Sequence, residues 1–488
     1  MTIVITTFLI FLLAFILIGI ASTYKSKKTT EDYLIASRNI HPVLASLSAA
    51  ATNTSGYMFI GLIGFTYHYG LSSIWVTIGW ICGDYIMWHL VYRKLRERSE
   101  SLQTQTVPGF IGSTVKGIDS VIVTAAGLIT LVLLAVYASA QLKAGSKALY
   151  VLFGWDYSTG AIIGSVIVLI YCIAGGIRAS IWTDAAQAIV MIISMSILLG
   201  TAMGAVGGPL SLYNALLKID PALVTLFPGN LKFGPGLYVL GWFAAGIGVV
   251  GQPHMQIRTM SIRSPRHIKR ARRTYFAWYI PFSAAAVGVG LYSRVLLSDI
   301  SMIHRLMLSW NIRADRLPAN FDPELALPAL SMHLLPSVFI GLILAGLFAA
   351  TMSTADSQIL SSGAALTQDI APGMGASRFK TKAGTLIVTV FALGFSLSGP
   401  QSVFSLVTIT WSALGAGLGP LIILRSLDRP VNRFVSLAMM ASGITTVLLW
   451  RHVFHLSDHV YEILPAMAAG FLCYGTSLAL QAWRGNKI

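Results

Sequence analysis

Thirteen apolar segments, each close to the length of a membrane-spanning helix, run through the chain and constrain its fold more than any other feature. A helix needs about 20 mostly apolar residues to cross a bilayer. The chain is 55% hydrophobic and 11% charged, whereas soluble proteins carry about 25% charged residues. We therefore predict an all-α integral membrane protein with thirteen transmembrane helices at approximately 3–22, 41–63, 72–91, 120–150, 159–175, 181–205, 236–252, 275–297, 336–362, 383–399, 402–424, 434–450 and 461–483.

The basic residues indicate how these helices are oriented. If the N-terminus is outside, the inside segments hold 25 of the 34 Lys and Arg residues, as is typical of cytoplasmic loops. The net charge of +16 is then a topology signal, and the basic stretch 263–273 suits anionic lipid headgroups rather than nucleic acid. We predict a multi-pass protein of the cell (inner) membrane, with its N-terminus outside and its C-terminus cytoplasmic, surrounded by lipid and without a nucleic-acid partner.

Two of the apolar segments are interrupted by small, polar or helix-breaking residues. They are Ala-Ala-Ala-Thr-Asn-Thr-Ser-Gly at 49–56 and Gly-Ile-Gly-Val-Val-Gly-Gln-Pro-His at 246–254. Unpaired backbone groups are costly in lipid, so a helix breaks at membrane depth only where protein or a cavity satisfies them. Paired broken helices in the two halves of a chain are typical of secondary transporters.

The positions of the two breaks predict the internal organisation. Each break begins a group of five spans, and an odd number of spans gives the two groups opposite orientations, as in inverted-repeat transporters. We predict an extra N-terminal helix and inside loop (1–40), a first five-helix repeat (41–205), an outside loop (206–235), a second inverted repeat (236–424) and two C-terminal helices (425–488). The long outside loops 206–235 and 298–335 suit a lid with a short capping helix.

The ninth span carries an unusual polar stretch at 351–358. Its hydroxyl groups, together with backbone carbonyls freed by the first break, are oxygen ligands of the kind that hard cations such as sodium prefer. The alternative is that these hydroxyls bond only to their own helix. Ser353, Asp356 and Ser357 share one face of this helix, and Ala350 and Thr354 share a neighbouring face. The carbonyls of Ala51 and Thr54 would complete the oxygen shell of a sodium ion.

Carboxylates inside spans are costly and usually functional. Asp184, in Trp182-Thr183-Asp184, and Asp356 are such residues, and two neighbouring carboxylates favour uptake of a proton. The alternative is an ion pair between Asp184 and Lys143 or Arg178, and for Asp84 we expect a structural role. The second site, for a cation or a proton, would consist of Asp184, Ser353, Asp356 and Ser357.

The substrate pocket is expected between the two breaks. Half-helix N-termini carry partial positive charge, which suits the carboxylate of a solute such as an amino acid. In the fourth span, Tyr137 and Gln141 lie four residues apart on one helix face. The predicted pocket residues are Asn53, Ser55, Gly56, Tyr137, Gln141 and Gln252, with the rest of the segment 246–252.

Several motifs resemble those of the sodium/solute symporter family. They are Ala-Thr-Asn-Thr-Ser-Gly at 51–56, Trp-Thr-Asp at 182–184, Gly-Gln-Pro-His at 251–254 and Met-Ser-Thr-Ala-Asp-Ser-Gln at 352–358. Trp-Ser-Ala-Leu-Gly at 411–415 and Tyr-Glu-Ile-Leu-Pro at 461–465 resemble its sodium/proline branch in particular. The resemblance covers almost the whole chain, with the motifs in the family's order.

The resemblance implies thirteen spans and a LeuT-like core of two inverted five-helix repeats whose first helices are broken. It also implies coupling of inward sodium flow to solute uptake, with sodium and no organic cofactor. By position, the resemblance implies a sodium site at Ala51, Thr54, Ala350, Ser353 and Thr354. The chain departs from the proline carriers at Asn53, where they typically have Asp, and at Ala245 and Val249, where they carry Trp and Tyr. We expect a roomier pocket that discriminates less strongly against bulkier amino acids.

Three functions are compatible with a chain of this kind. The first is a sodium-coupled symporter of a small carboxylate-bearing solute, proline or another amino acid, or else of a different organic solute. The second is a membrane sensor built on the same fold, which would need a signalling segment after the last span. The third is a membrane-embedded enzyme, for which His89 and His254 lack partners at a suitable spacing. We predict the symporter.

Overall fold

The computed structural model describes residues 2–25, 27, 29–114, 117–309, 321–375, 377–399 and 402–483, and nearly all of them are helical. The helices of the first half are α1 (Thr2–Thr23), α2 (Thr30–Ile35), α3 (Pro42–Gly56), α4 (Leu62–Tyr69), α5 (Ile74–Leu90), α6 (Tyr92–Ser101), α7 (Val107–Gly112), α8 (Ser120–Phe153), α9 (Tyr157–Val206) and α10 (Pro209–Ile219). Those of the second half are α11 (Gly234–Ile247), α12 (Pro253–Ser261), α13 (Ile268–Leu296), α14 (Ile300–Ser309), α15 (Ala326–Leu334), α16 (Ser337–Ala364), α17 (Arg378–Ser398), α18 (Val403–Ser426), α19 (Arg433–Leu448) and α20 (Ile463–Trp483). Strands β1 (Ser113–Thr114) and β2 (Gly117–Ile118) form a short antiparallel hairpin.

The described helices have the length and composition of membrane-spanning helices. Ten are long and apolar enough to cross it, or eleven if the bent pair Pro42–Leu90 and Tyr92–Ser101 is one span. The all-helical membrane architecture is therefore confirmed. The count of thirteen spans stays a prediction. It requires that residues 42–90 form two spans, and that the 50-residue α9 forms two spans separated at its kink, where Gly176 has a φ of 60°.

Residues at the helix ends explain where several helices begin and stop. The Asp119 side chain accepts hydrogen bonds from the Val121 and Ile122 amides and so caps the start of α8. At its other end Gly154 is left-handed, a conformation that glycine adopts without strain. Pro42 and Pro253 begin α3 and α12, where the missing amide proton costs nothing. Pro42 thus begins the first broken helix, and Pro253 begins the half-helix that follows the second break.

α16 and α18 form the centre of the bundle. The most apolar stretches of α16 and α18 are 83% and 89% buried, against 22% for those of α1 and α20. α16 packs on α3, α8, α9 and α1, while α11 packs along α5. The polar stretch of α16 therefore faces protein, and the outer helices present side chains such as Leu17 and Leu472 to the lipid.

Both interrupted segments are broken helices. α3 ends at Gly56 and continues through a π-helical turn (Tyr57–Gly61) into α4, whereas α11 continues through a 3₁₀ turn (Gly248–Gly251) into α12. The start of α3 and the end of α12 are joined by backbone hydrogen bonds. The Ile40 amide donates to the Ser261 carbonyl and the Arg263 amide donates to the Ile40 carbonyl, each at 3.1 Å. The two broken helices are thus linked to each other by backbone hydrogen bonds.

The loops differ from the sequence-based expectation in one place. The span predicted at 236–252 continues as α12, and all nine α12 residues are buried, although 253–274 was expected to be an inside loop. The loops predicted to lie outside do contain short helices, α10 in 206–235 and α14 and α15 in 298–335. Residues 310–320 and the C-terminal segment 484–488 lie outside the described residues.

Candidate functional site

The first break lies at Ser55, whose backbone angles (φ 51°, ψ 177°) leave the helical region. In an unbroken helix the Gly56 amide would donate to the Thr52 carbonyl, but here it donates to Gln141 Oε1 on α8 at 2.9 Å. The Tyr57 amide donates to Ser55 Oγ at 3.0 Å. The break therefore frees the Thr52 carbonyl and fixes the chain to α8.

The polar stretch of α16 meets this freed carbonyl. Thr354 Oγ1 lies 3.0 Å from the Thr52 carbonyl and 3.1 Å from the Ala350 carbonyl, and Ser353 Oγ donates to the same Ala350 carbonyl at 3.2 Å. All these residues are buried. The two halves of the predicted sodium site, the stretch 51–54 and the α16 residues, therefore adjoin. Back-bonding of the hydroxyls to their own helix, the alternative interpretation, also occurs.

A guanidinium group lies where the second cation was expected. Arg258 of α12 donates through Nη2 to Asp184 Oδ2 at 2.8 Å and to the Ser357 hydroxyl, and through Nε to Ser48 Oγ at 2.7 Å. The side chains of Arg258 and Asp184 are 1% and 0% exposed. This is a buried ion pair that links the second broken helix to α9.

Asp356 joins the same group through hydroxyls. Ser180 Oγ and Ser357 Oγ donate to Asp356 Oδ1 at 3.1 and 2.8 Å. Arg258 thus pairs directly with Asp184, and the hydroxyls of Ser180 and Ser357 link this pair to Asp356. Four helices meet there, namely α3, α9, α12 and α16. We call this group the acidic cluster, and its residues are Ser48, Ser180, Asp184, Arg258, Asp356 and Ser357.

The ion-pair partners expected for Asp184 were wrong. Lys143 Nζ donates to the Gly399 carbonyl at 2.8 Å, and Arg178 pairs with Asp32 at 2.5 Å between Nη2 and Oδ1. Arg258 was missed because it was counted among the basic residues of an inside loop. The available signal was its place four residues after His254, on the half-helix that follows the break.

The predicted pocket residues fall into two groups. Ser55, Gly56 and Gln141 meet at the first break, and the Tyr137 ring packs edge-on against His254 of α12, with 5.6 Å between ring centres. Asn53 points elsewhere, because its Nδ2 donates to the Tyr275 hydroxyl of α13.

The second break is lined by Trp411 of α18. Gln252 Nε2 donates to the Trp411 carbonyl at 3.0 Å, and Trp411 Nε1 donates to the Ala245 carbonyl at 3.0 Å. Ala245 and Val249 are buried, with 0% and 1% exposure. The Trp411 indole therefore contacts the second broken helix at Ala245, one of the two positions where this chain departs from the proline carriers. The sequence did not predict this contact.

Several buried polar atoms near the two breaks lack a hydrogen-bond partner in the described part of the chain. They include Tyr57 Oη, Gln141 Nε2, Gln252 Oε1 and both ring nitrogens of His254. Buried polar groups are nearly always paired, so these atoms are available to a polar solute or to water.

A cavity of about 200 Å³ lies along the half-helices α4 and α11, beyond the breaks. Aromatic residues on those helices line one side, and the Arg451–Glu462 ion pair, with 2.7 Å between Nη1 and Oε1, lines the other. Asn230 and Leu231 of the long loop 206–235 also contribute to its wall.

Comparison with known proteins identifies relatives of the whole chain. A sequence model described as the sodium:solute symporter family matches residues 33–442. The high-affinity proline transporter PutP of Bacillus subtilis (strain 168) is 30% identical over 457 residues, covering 92% of each chain. The osmoregulated proline transporter OpuE of the same organism is 29% identical, covering 95% of this chain and 92% of its own.

Two solved structures share the fold. A Na⁺-coupled sialic acid symporter in a substrate-bound outward-open state superposes with a TM-score of 0.77 at 18% identity, covering 96% of this chain and 97% of its own. Mhp1, a nucleobase-cation-symport-1 family transporter in a closed conformation, superposes with a TM-score of 0.56 at 15% identity, covering 91% and 95%. The LeuT-like fold is thereby confirmed.

Proposed function

Because the chain belongs to the sodium:solute symporter family, we propose that it couples inward sodium flow to the uptake of a small carboxylate-bearing solute, with proline as the first candidate. The observation that carries this proposal is the meeting of the first break with the hydroxyls of α16. The relatives named as proline transporters support the substrate class. Uptake of labelled proline into proteoliposomes under an inward sodium gradient tests it.

In the proposed cycle, sodium binds where α16 meets the first break. The ligands would be the carbonyls of Ala51, Thr54 and Ala350 and the hydroxyls of Ser353 and Thr354. Both hydroxyls now bond to carbonyls, so sodium would replace those bonds with coordination. An ion in this place holds α3 and α16 together and thereby favours one state of alternating access.

Replacing Ser353 and Thr354 together by Ala removes two oxygens from a small coordination shell. We expect sodium affinity to fall at least about tenfold, a loss of about 1.4 kcal/mol of binding free energy. Sodium-dependent solute uptake, titrated with sodium in proteoliposomes, measures this. Ser361→Ala is the control, because Ser361 is buried on the same helix but lies two turns away. An unchanged sodium titration in the double variant would remove these residues from the site.

The acidic cluster is the proposed second ion site. Asp184, Asp356 and Ser357 supply the oxygens, and in this structure Arg258 pairs with Asp184 and bonds to Ser357. A sodium ion or a proton entering the cluster would compete with the guanidinium for the carboxyl group of Asp184. The cluster lies on helices of both breaks, so that exchange can be coupled to their relative movement.

The proposed substrate site lies between the breaks. The residues that we assign to it are Ser55, Gly56, Tyr137, Gln141 and Gln252, whereas the predicted pocket residue Asn53 bonds to Tyr275 instead. The unpaired polar atoms of Gln141 and Gln252 provide a donor and an acceptor, which match the carboxylate and the amine of an amino acid. The small Ala245 and Val249 favour weaker discrimination against bulkier amino acids, so a different organic solute is the alternative substrate.

The proposal also covers the membrane in which the protein lies and its orientation in that membrane. The protein lies in the cell membrane with its N-terminus outside, as the distribution of Lys and Arg favours. Sodium is the coupling ion, and we expect neither an organic cofactor nor an enzymatic activity, since the relatives are transporters. A sensor on the same fold is the second candidate, and it would bind the solute without moving it.

A further inference from the structure

Asp84, in the middle of α5, is a buried carboxyl group that the proposed cycle does not use. It is 0% exposed. Its Oδ1 accepts a hydrogen bond from the Tyr92 hydroxyl at 3.3 Å, and the Tyr275 hydroxyl faces the same carboxyl group. Its Oδ2 has no hydrogen-bond partner within the described ranges. The side chain is thus surrounded by neutral groups.

The charged and titratable groups on the elements around Asp84 do not neutralise it. Within the described ranges no Lys, Arg or His forms a salt bridge with Asp84. Arg272 lies over the Tyr85 ring, 5.7 Å from its centre, and the nearby His89 bonds to the Tyr85 carbonyl. Arg258 on α12 is held by Asp184. The titratable groups that do face Asp84 are the phenols of Tyr92 on α6 and of Tyr275 and Tyr279 on α13.

A bare carboxylate at this depth is strongly unfavourable. Charge burial without a partner costs several kcal/mol even after relaxation, and such groups are neutralised by a proton or a cation. A hard cation needs a shell of about six oxygens, whereas the Tyr92 hydroxyl is already bonded to Gln256 Nε2 at 3.4 Å. One proton on Oδ2 requires no such shell.

The surroundings of Asp84 connect it to both breaks. Tyr275 accepts a hydrogen bond from Asn53 Nδ2 at 2.5 Å, two residues before Ser55. Tyr92 is bonded to Gln256, which also donates to the Val249 carbonyl at 2.9 Å. A Cβ atom placed on Gly246 would lie 2.8 Å from the Asp84 amide. A change of charge at Asp84 therefore acts on groups of both broken helices.

We propose that Asp84 is a proton-binding site of the transport cycle, so that a proton is coupled to solute movement in addition to sodium. The inference rests on the proposed symport function. In the outward-facing state Asp84 Oδ2 takes a proton from the outer solution and forms an O–H bond. In the inward-facing state that bond breaks, and the proton leaves to the cytoplasmic side. No oxidant, reductant or further reactant is needed.

Infrared spectroscopy of the purified full chain tests the proton directly and does not depend on transport. Wild type at neutral pH should show the C=O stretching band of a protonated carboxyl group at this site, and Asp84→Asn should lose it. Tyr92→Phe keeps the carboxyl group and should shift the band, which covers the case in which Asp84→Asn does not fold. Glu97→Gln is the control, because Glu97 is 42% exposed and pairs with Arg93; it should leave the band unchanged.

Proteoliposomes loaded with a pH-sensitive dye test the coupling. Sodium-driven solute uptake by wild type should acidify the interior and should slow as external pH rises. Asp84→Asn should show neither effect, since its amide cannot exchange a proton. An infrared spectrum unchanged in both Asp84→Asn and Tyr92→Phe, or wild-type uptake without acidification, would overturn the proposal. A wild type with no sodium-driven uptake would instead contradict the symport function, and the infrared result would still decide the protonation.

Discussion

Arg258→Met is expected to abolish solute uptake and to lower the free energy of unfolding by about 3–5 kcal/mol, the usual cost of removing one partner of a buried ion pair. The variant leaves the carboxyl group of Asp184 buried without its ion-pair partner, and it removes the guanidinium that bonds to Ser357 beside Asp356. Met fills a similar volume, so the loss reports charge rather than a cavity. Thermal unfolding in detergent without sodium, together with uptake in proteoliposomes, measures both effects.

Two further variants test whether the effect comes from the unpaired charge in the acidic cluster or from the loss of an arginine as such. Arg263→Met removes an exposed arginine five residues along the same segment and should leave stability and uptake unchanged. The double variant Arg258→Met/Asp184→Asn should recover part of the stability, because one unpaired carboxylate is removed as well. If Arg258→Met unfolds at the wild-type temperature, the acidic cluster does not stabilise the fold as described.

Gly246→Ala is expected to separate α5 from α11 and to cost at least about 3 kcal/mol, the upper end of the usual cost of overpacking. A Cβ atom on Gly246 would lie 2.0 Å from the Trp80 carbonyl oxygen, and one on Gly83 would lie 2.1 Å from the Phe243 carbonyl oxygen. These are backbone atoms, so no side chain can rotate away. Small residues allow such close helix approach in membranes, and we expect poor expression and no uptake.

A matched glycine shows whether the effect comes from the contact. Gly200→Ala, on an exposed face of α9 with no neighbour within 4 Å of the added Cβ, should be neutral or slightly stabilising, because Ala is the better helix former. Unfolding temperature and the yield of monodisperse protein compare the two variants. Equal behaviour of the two variants would show that α5 and α11 are not in backbone contact.

The sequence predicts the broken helices well because the signal is local. Ser55 and Gln252 leave the helical conformation inside the two predicted interruptions, since Gly, Pro and clustered polar residues disfavour a continuous apolar helix. The polar stretch of α16 is equally local. Its contact with the Thr52 carbonyl follows once both segments are placed near the centre of the bundle.

Interactions between distant segments could not be predicted in the same way. Arg258 lies 74 positions from Asp184, and its place shortly after the second break does not by itself indicate this partner. Only the continuation of the helix to Ser261 carries its guanidinium into the protein. Trp411 and the chain Asn53–Tyr275 are further long-range contacts of this kind, and local patterns do not encode them.

Sodium-driven uptake tests the central claim most directly. Purified protein in sealed proteoliposomes should accumulate labelled proline, or another amino acid that competes with it, when sodium is outside. Accumulation should cease when sodium is equal on both sides, and empty liposomes should show none. Transport restricted to solutes without a carboxylate, such as sugars or polyols, or uptake indifferent to the sodium gradient, would contradict the account.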